Sequence, residues 1–391
     1  MIRFLLYSLL FALLGACASQ PELRGSNDLG VVIERADGAV LVVENSGNTV
    51  LHRVEGLGDL SHASLVYSRD GRYAYVFGRD GGLSKVDILR GELVTRVVQS
   101  GNSIGGAISQ DGELIAVSNY EPGGVRVFDA DDLVPIADIP AIPSAGGAAS
   151  KVVGLVDAPE QRFVFSLFDS DEIWLADFEN PQDPQITRYA EIGRAPYDAL
   201  ITADGRYYLA GLFGEDGLAL LDLWRPEEGV RKVLEDYGRG DEKLPVYKMP
   251  HLEGFASASN YMFVPAVGRH EVLVIDERGW SEVARIPVAG QPVFVRARPD
   301  GREVWVNFAF PDNDRIQIID VEELQVVDTL RPGKGVLHME FTPRGDDIWV
   351  SVRDDNKLVV YDTRTREAVA ELPARSPSGI FFTHRAGQLG F

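Results

Sequence analysis

The chain has 391 residues, 45% hydrophobic and 25% charged, which is ordinary for a globular protein and ample for a large core or a long repeat array. Its 38 basic and 59 acidic side chains give a formal charge of -21, and such a surface repels nucleic acid and anionic lipid headgroups. The single cysteine, Cys17, excludes disulfides, thiolate zinc sites and a CxxCH haem attachment motif within the folded part.

In chain order, Met1-Ile2-Arg3 and the short apolar run "FLLYSLLFALLGA" read as a secretory signal over residues 1–16, too short to span a bilayer comfortably. It ends in "LLGAC", Leu13 to Cys17, which resembles the bacterial lipobox, where the cysteine is lipidated and becomes the first residue after cleavage. Residues 17–28 are then the lipidated Cys17 and a polar tether, and Ala18 rather than Asp at the next position implies the outer membrane. The expectation is a periplasmic protein that touches the membrane through its lipid anchor only. Three alternating apolar runs follow between Leu29 and Val54: "LGVVIE", "AVLVVE" and "TVLHRV".

From Gly58 the chain repeats itself. "YSRDGRYAYV" at 67–76 is echoed by "ISQDGELIAV", "ITADGRYYLA", "ARPDGREVWV" and "FTPRGDDIWV", with weaker copies at "DAPEQRFVFSL", "SASNYMFVP" and "THRAGQLGF". The turn residues Gly71, Gly112, Gln161, Gly205, Asn260, Gly301, Gly345 and Gly387 are spaced by 41, 49, 44, 55, 41, 44 and 42. After each copy but the last comes an alternating run ending in Asp: Asp87, Asp129, Asp177, Asp222, Asp276, Asp320 and Asp362. Period-two alternation with D-G turns is the hairpin signature, and a four-stranded unit of this length is a propeller blade. Eight units predict an all-β, single-domain, eight-bladed β-propeller over residues 29–391. The eighth copy has only its first strand, so the three N-terminal runs are expected to complete it and remove the open edge. Two longer gaps, around "IPSAGGAASK" and "EDYGRGDEKLP", read as loops on a propeller face.

The first strand of a blade lies innermost, so residues entering it are expected to ring the axis. Counting back nine from each turn residue gives His62, Ser103, Val152, Pro196, His251, Pro292, Val336 and Ser378. Two of the chain's six histidines share this register, in blades one and five, which face each other across an eight-membered ring. Tyr197, His338, Arg194 and Arg296 stand beside these positions. Such histidines either cap strands and hydrate the channel or offer imidazoles to a pocket as metal ligands and acid–base groups. No GxSxG, HExxH, P-loop or EF-hand loop is present. "PDNDR" and "VRDDNK" look calcium-like only in composition and fall between strands, where acidic turns are usual.

Several ordered motifs carry a further resemblance. His62 precedes "GRYAYVFGRDGGLSKVDIL"; "NYEPGG" spans Asn119 to Gly124; "APYDAL" contains Tyr197; "MPHLEG" contains His251; "LHMEFTPRGDDIWVSV" contains His338 and Glu340; and "SPSGIF" spans Ser376 to Phe381. Along nearly all of residues 28–391 the chain resembles the eight-bladed haem d1 domain of cytochrome cd1 nitrite reductases, and within that superfamily the members that serve haem d1 biosynthesis. The resemblance implies that His62 is the proximal ligand of a haem iron and that His251 and Tyr197 stand at the two distal positions. It implies that Tyr120 and Glu340 line the cofactor site and that Arg79, Arg194 and Arg296 meet ligand carboxylates. His251, Tyr197 and His338 are then the candidate acid–base groups. The chain departs from the family pattern in three respects: Leu65 or Val66 and Gly105 replace arginines, Tyr197 replaces a histidine, and the cytochrome c domain is missing. Nitrite reduction is therefore not implied. What is implied is binding of an iron tetrapyrrole, a haem d1 precursor or dihydro-haem d1, in a late biosynthetic step on its side chains, with no separate redox cofactor. Other haem d1 biosynthesis proteins and cytochrome cd1 nitrite reductase are the implied protein partners. Two alternatives stay open: a carrier of the ligand without chemistry, and a protein-binding scaffold lipoprotein.

Overall fold

The computed structural model describes residues 26–235, 255–266 and 269–390. The signal segment, Cys17 and His251 lie outside the described residues. Strands β1 (Leu29–Glu34), β2 (Ala39–Glu44) and β3 (Thr49–Val54) open the chain, and β4 (Ser64–Tyr67), β5 (Tyr73–Phe77), β6 (Gly82–Asp87) and β7 (Glu92–Val98) make the first complete blade. Eight antiparallel four-stranded sheets follow one another round the ring. Blade 8 has the order β3-β2-β1 and then the strand Pro377–Phe382, with Val31 opposite Phe381. The three N-terminal runs thus complete the blade begun at the other end of the chain. Tyr67 of blade 1 donates its hydroxyl to the Phe381 carbonyl of blade 8 at 2.7 Å, tying the first blade to the last.

Local chemistry explains the regularity. In blades 1, 2 and 4 the inner hairpin turns on Ser68, Ser109 or Thr202, whose hydroxyl accepts the amide of Tyr73, Leu114 or Tyr207 at 2.9 to 3.0 Å. The turn glycines close these loops with φ near +70° to +79°, a conformation that suits glycine. In blade 3 Gln161 takes that position at φ +56°. Each of the seven repeat Asp residues ends the third strand of its blade, and its Oδ1 accepts the amide two residues on, as at Asp87–Leu89 (3.1 Å) and Asp129–Asp131 (2.7 Å). A side chain that bonds its own backbone two residues ahead starts the next turn without help from the rest of the fold. Between blades the core is apolar, with Trp174, Trp305, Trp349, Phe163 and Phe263 fully buried.

Two features differ from the sequence expectation. The register slips near the start of the inner strand in blades 2, 3, 4, 6, 7 and 8, for instance between Val153 and Val156 and between Pro196 and Ala199. In addition, "THRAGQLGF" does not repeat the hairpin, because β1 already holds the place beside Pro377–Phe382. Residues 383–387 form a short 3-10 helix instead, and the tail continues across the face that carries the inner turns. Arg69 of blade 1 donates to the carbonyls of Ala386 (3.1 Å) and Gln388 (3.3 Å), and the Gly390 amide donates to Asp157 of blade 3 at 2.8 Å. Leu389 packs against the core shared by blades 3 and 4. Arg69 also pairs with Asp157 at 3.0 Å, and burial pushes the Asp157 carboxyl above the usual range against the pull of that arginine.

Candidate functional site

The inner strands start at the opposite, open face. There the bulges change which residues are presented. Ser103, Val152, Pro196, Pro292 and Val336, the positions nine before the turns, are all buried. Ser103 donates to the Gly78 carbonyl at 2.7 Å instead of facing the axis. The half-buried positions are the next ones along, inside the bulges: Ile104, Tyr197, Val293, Phe294 and Leu337. An extra residue in one strand of a pair re-aims the side chains beside it, and here it turns an apolar set inward. The corrected ring is therefore apolar with one phenol. Nothing in the alternating pattern distinguishes these positions from the ones before them. Between blades 2 and 4 a small recess is lined by Ile104, Gly105, Gly154, Leu155, Tyr197 and Asp198. His62 stands half-buried at the bend before β4, on the same face.

Tyr197 is the centre of an aromatic cluster. Its ring meets Phe168 at 5.7 Å and Phe213 at 5.8 Å, and its hydroxyl lies 3.2 Å from that of Tyr120. The Arg79 guanidinium rests 5.6 Å over the Tyr120 ring, and Lys151 lies 5.6 Å over Phe168. Burial raises both phenols above the ordinary tyrosine value; for Tyr197 the hydrogen bond from Tyr120 works the other way. Both therefore stay protonated near neutrality, as hydrogen-bond donors. Phe168 and Phe213 were not legible as site residues, because each follows its blade's second strand as an ordinary apolar position would.

The other sequence candidates divide. His338 is buried, its Nδ1 accepting the Ile380 amide at 3.2 Å and its Nε2 3.1 Å from the Arg296 guanidinium. It packs on Phe294 and Phe381. Arg296 also donates to the Met339 carbonyl at 3.3 Å and lies 3.4 Å from Glu340. The Glu340 carboxylate takes two hydrogen bonds from Arg385, at 2.8 and 2.6 Å, with both side chains almost wholly buried. Arg296, His338, Glu340 and Arg385 form one network between blades 6, 7 and 8. Arg194 is exposed and pairs with Glu215 at 3.3 Å. Arg79, Tyr120 and Tyr197 are brought together in a second cluster, at the mouth. The acidic turns pair with their own arginines: Arg315 with Asp312 and Asp314, and Arg353 with Asp354.

The eight blades agree with the family comparison: residues 24–386 match the cytochrome D1 heme domain family. The chain belongs to that family, which ties it to haem d1 binding or biosynthesis. It is 65% identical to Protein NirF of Pseudomonas aeruginosa over 383 residues, 98% of each chain, and 61% identical to Protein NirF of Stutzerimonas stutzeri over the full length of both. Among solved structures it is similar to the dihydro-heme d1 dehydrogenase NirN in complex with DHE, with a TM-score of 0.80 and 28% identity over 95% of this chain and 79% of that one.

Proposed function

We propose that this protein binds an iron tetrapyrrole of the haem d1 series at the open face of its axis and acts on the side chains of a haem d1 precursor late in haem d1 formation. The observation that carries this reading is the ring of half-buried apolar residues at the bulges, Ile104, Tyr197, Val293, Phe294 and Leu337, on the face where His62 stands. A flat macrocycle needs apolar surface for its rings and a nitrogen donor for its metal, and these residue types fit both needs. The bound group would supply the iron and the reacting periphery. His62 would hold the metal, His251 would stand on the facing wall, and Tyr197, positioned by Tyr120, would present a hydroxyl proton to the ligand. Lipidation of Cys17 would keep the propeller in the periplasm at the outer membrane, beside the haem d1 enzymes and the nitrite reductase. A carrier role without chemistry has one observation in its favour: the ring nitrogens of His338, an acid–base candidate, are engaged within the protein.

Titrating the full chain with haem d1 or its precursor and recording the Soret band tests the reading. A shift in the wild type that His62→Ala abolishes supports it, and no shift with either ligand refutes it. Mass spectrometry of the released tetrapyrrole separates an enzyme from a carrier. Membrane fractionation of Cys17→Ala checks the anchor, the expected result being release from the membrane.

A further inference from the structure

One position recurs where the second strand of a blade leaves the sheet on the open face. The residue there donates its amide to the carbonyl just ahead of the inner strand: Phe168 to Lys151 (3.0 Å) in blade 3, Phe213 to Ala195 (2.9 Å) in blade 4 and Ala309 to Gln291 (2.9 Å) in blade 6. In blades 3 and 4 the phenyl at this position packs on Tyr197. Blade 6 has a buried alanine there, and its phenylalanine comes one residue later. Phe310 stands 66% exposed, more than any other large apolar side chain among the described residues.

The turn that carries Phe310 is fastened on both sides. The Asp312 amide donates back to the Ala309 carbonyl at 3.0 Å, and the Asn313 carbonyl accepts the Val336 amide, at the start of the next blade's inner strand, at 2.8 Å. Arg315 holds Asp312 at 3.2 Å and Asp314 at 2.7 Å. Gly290 lies so close that a Cβ there would meet the Asp312 side chain at 2.6 Å. Phe310 is thus the apolar tip of a bracket fixed to the entries of blades 6 and 7, the blades that supply Val293, Phe294 and Leu337 to the mouth. Blades 6 and 7 face blades 2 and 3 across a ring of eight, so the phenyl stands on the side opposite Tyr120, Tyr197 and Phe168. A phenyl left in water forfeits the free energy of its burial, and a fastened turn keeps it there. A large apolar surface brought to the mouth from outside recovers that free energy.

We propose that Phe310 is a contact residue for the macrocycle: it packs on the apolar ring system of the bound tetrapyrrole from the side of blades 6 and 7, facing the aromatic cluster across the mouth. This deepens, and rests on, the tetrapyrrole reading above. Phe310 is hidden in the sequence, where it precedes the acidic turn "PDNDR" and falls outside the nine-residue count that located the mouth.

The test titrates haem d1 or its precursor, whichever shifts the wild-type Soret band, into the full chain and follows affinity and dissociation rate. Phe310→Ala should weaken binding about tenfold, with most of the loss appearing as faster dissociation. Phe310→Tyr and Phe310→Trp keep an aromatic surface and should stay within about threefold of the wild type. Val98→Ala trims a side chain that is 62% exposed on the outer strand of blade 1 and should leave affinity unchanged. Melting curves that coincide with the wild type establish that each variant is folded. Wild-type affinity and dissociation rate in Phe310→Ala, or an equal loss in Phe310→Tyr or Val98→Ala, overturns the contact while the tetrapyrrole reading stands. No Soret shift in the wild type with either ligand overturns both.

Discussion

Glu340 offers a sharp choice between two roles. As a ligand-binding residue it would be dispensable for folding, whereas the structure makes it the carboxylate that neutralises Arg385. The two side chains are only 7% and 6% exposed, and Arg296 lies 3.4 Å from the same carboxylate. Glu340→Gln removes the charge and leaves two guanidiniums in a site sealed from water. Breaking one side of such a buried pair costs about 3–5 kcal/mol. An unfolding entropy of about 2.1 cal/mol/K per residue gives roughly 0.8 kcal/mol/K for a chain of 391 residues. The melting temperature should therefore fall by about 4–6 °C in a circular dichroism melt. The double variant Glu340→Leu/Arg385→Met, which removes charge from both sides, should lose less than Glu340→Gln alone. A Glu340→Gln protein that melts like the wild type but binds haem d1 poorly would refute this reasoning and return the carboxylate to the ligand.

Gly154→Ala should lower stability by about 1–3 kcal/mol in urea unfolding, because Gly154 has φ +58° and a methyl there would lie 2.8 Å from the Ala199 side chain and 2.9 Å from the Tyr208 hydroxyl; an unchanged midpoint would show that the bulge can relax. His384 is held below its ordinary pKa, chiefly by burial. Its neutral ring therefore contributes stability that is complete above the unfolded value of about 6.5 and lost as pH falls through that value towards the lower folded one. His384→Gln should accordingly lose less melting temperature than the wild type between about pH 7.5 and about pH 5.5, and parallel losses would exclude this histidine as a cause.

What could be read from the residues was what depends on a few neighbours in the chain. Ser68, Asp70 and Gly71 specify their turn alone, and each strand-ending Asp bonds an amide two residues ahead, so the repeat was visible without the fold. Closure by residues 29–54 followed from counting strands. The bulges were not visible, because Val152 and Leu155 obey the same apolar rule on either side of the slip. The internal partners of His338 and Glu340 were hidden for a different reason. Their partners Ile380, Arg296 and Arg385 stand more than 40 residues away, and only the packing of blades 6, 7 and 8 brings them together. The family resemblance preserved the order of the motifs but carried no information about which polar groups this chain pairs internally.

The tail that crosses the turn face has one further consequence. Held by Arg69 and Asp157, residues 383–390 tie blade 8 to blades 1, 3 and 4 across the turn face. Parting the first and last blades would first have to peel this strap off blades 3 and 4, so the C-terminal tail as well as the N-terminal strands holds the ring shut.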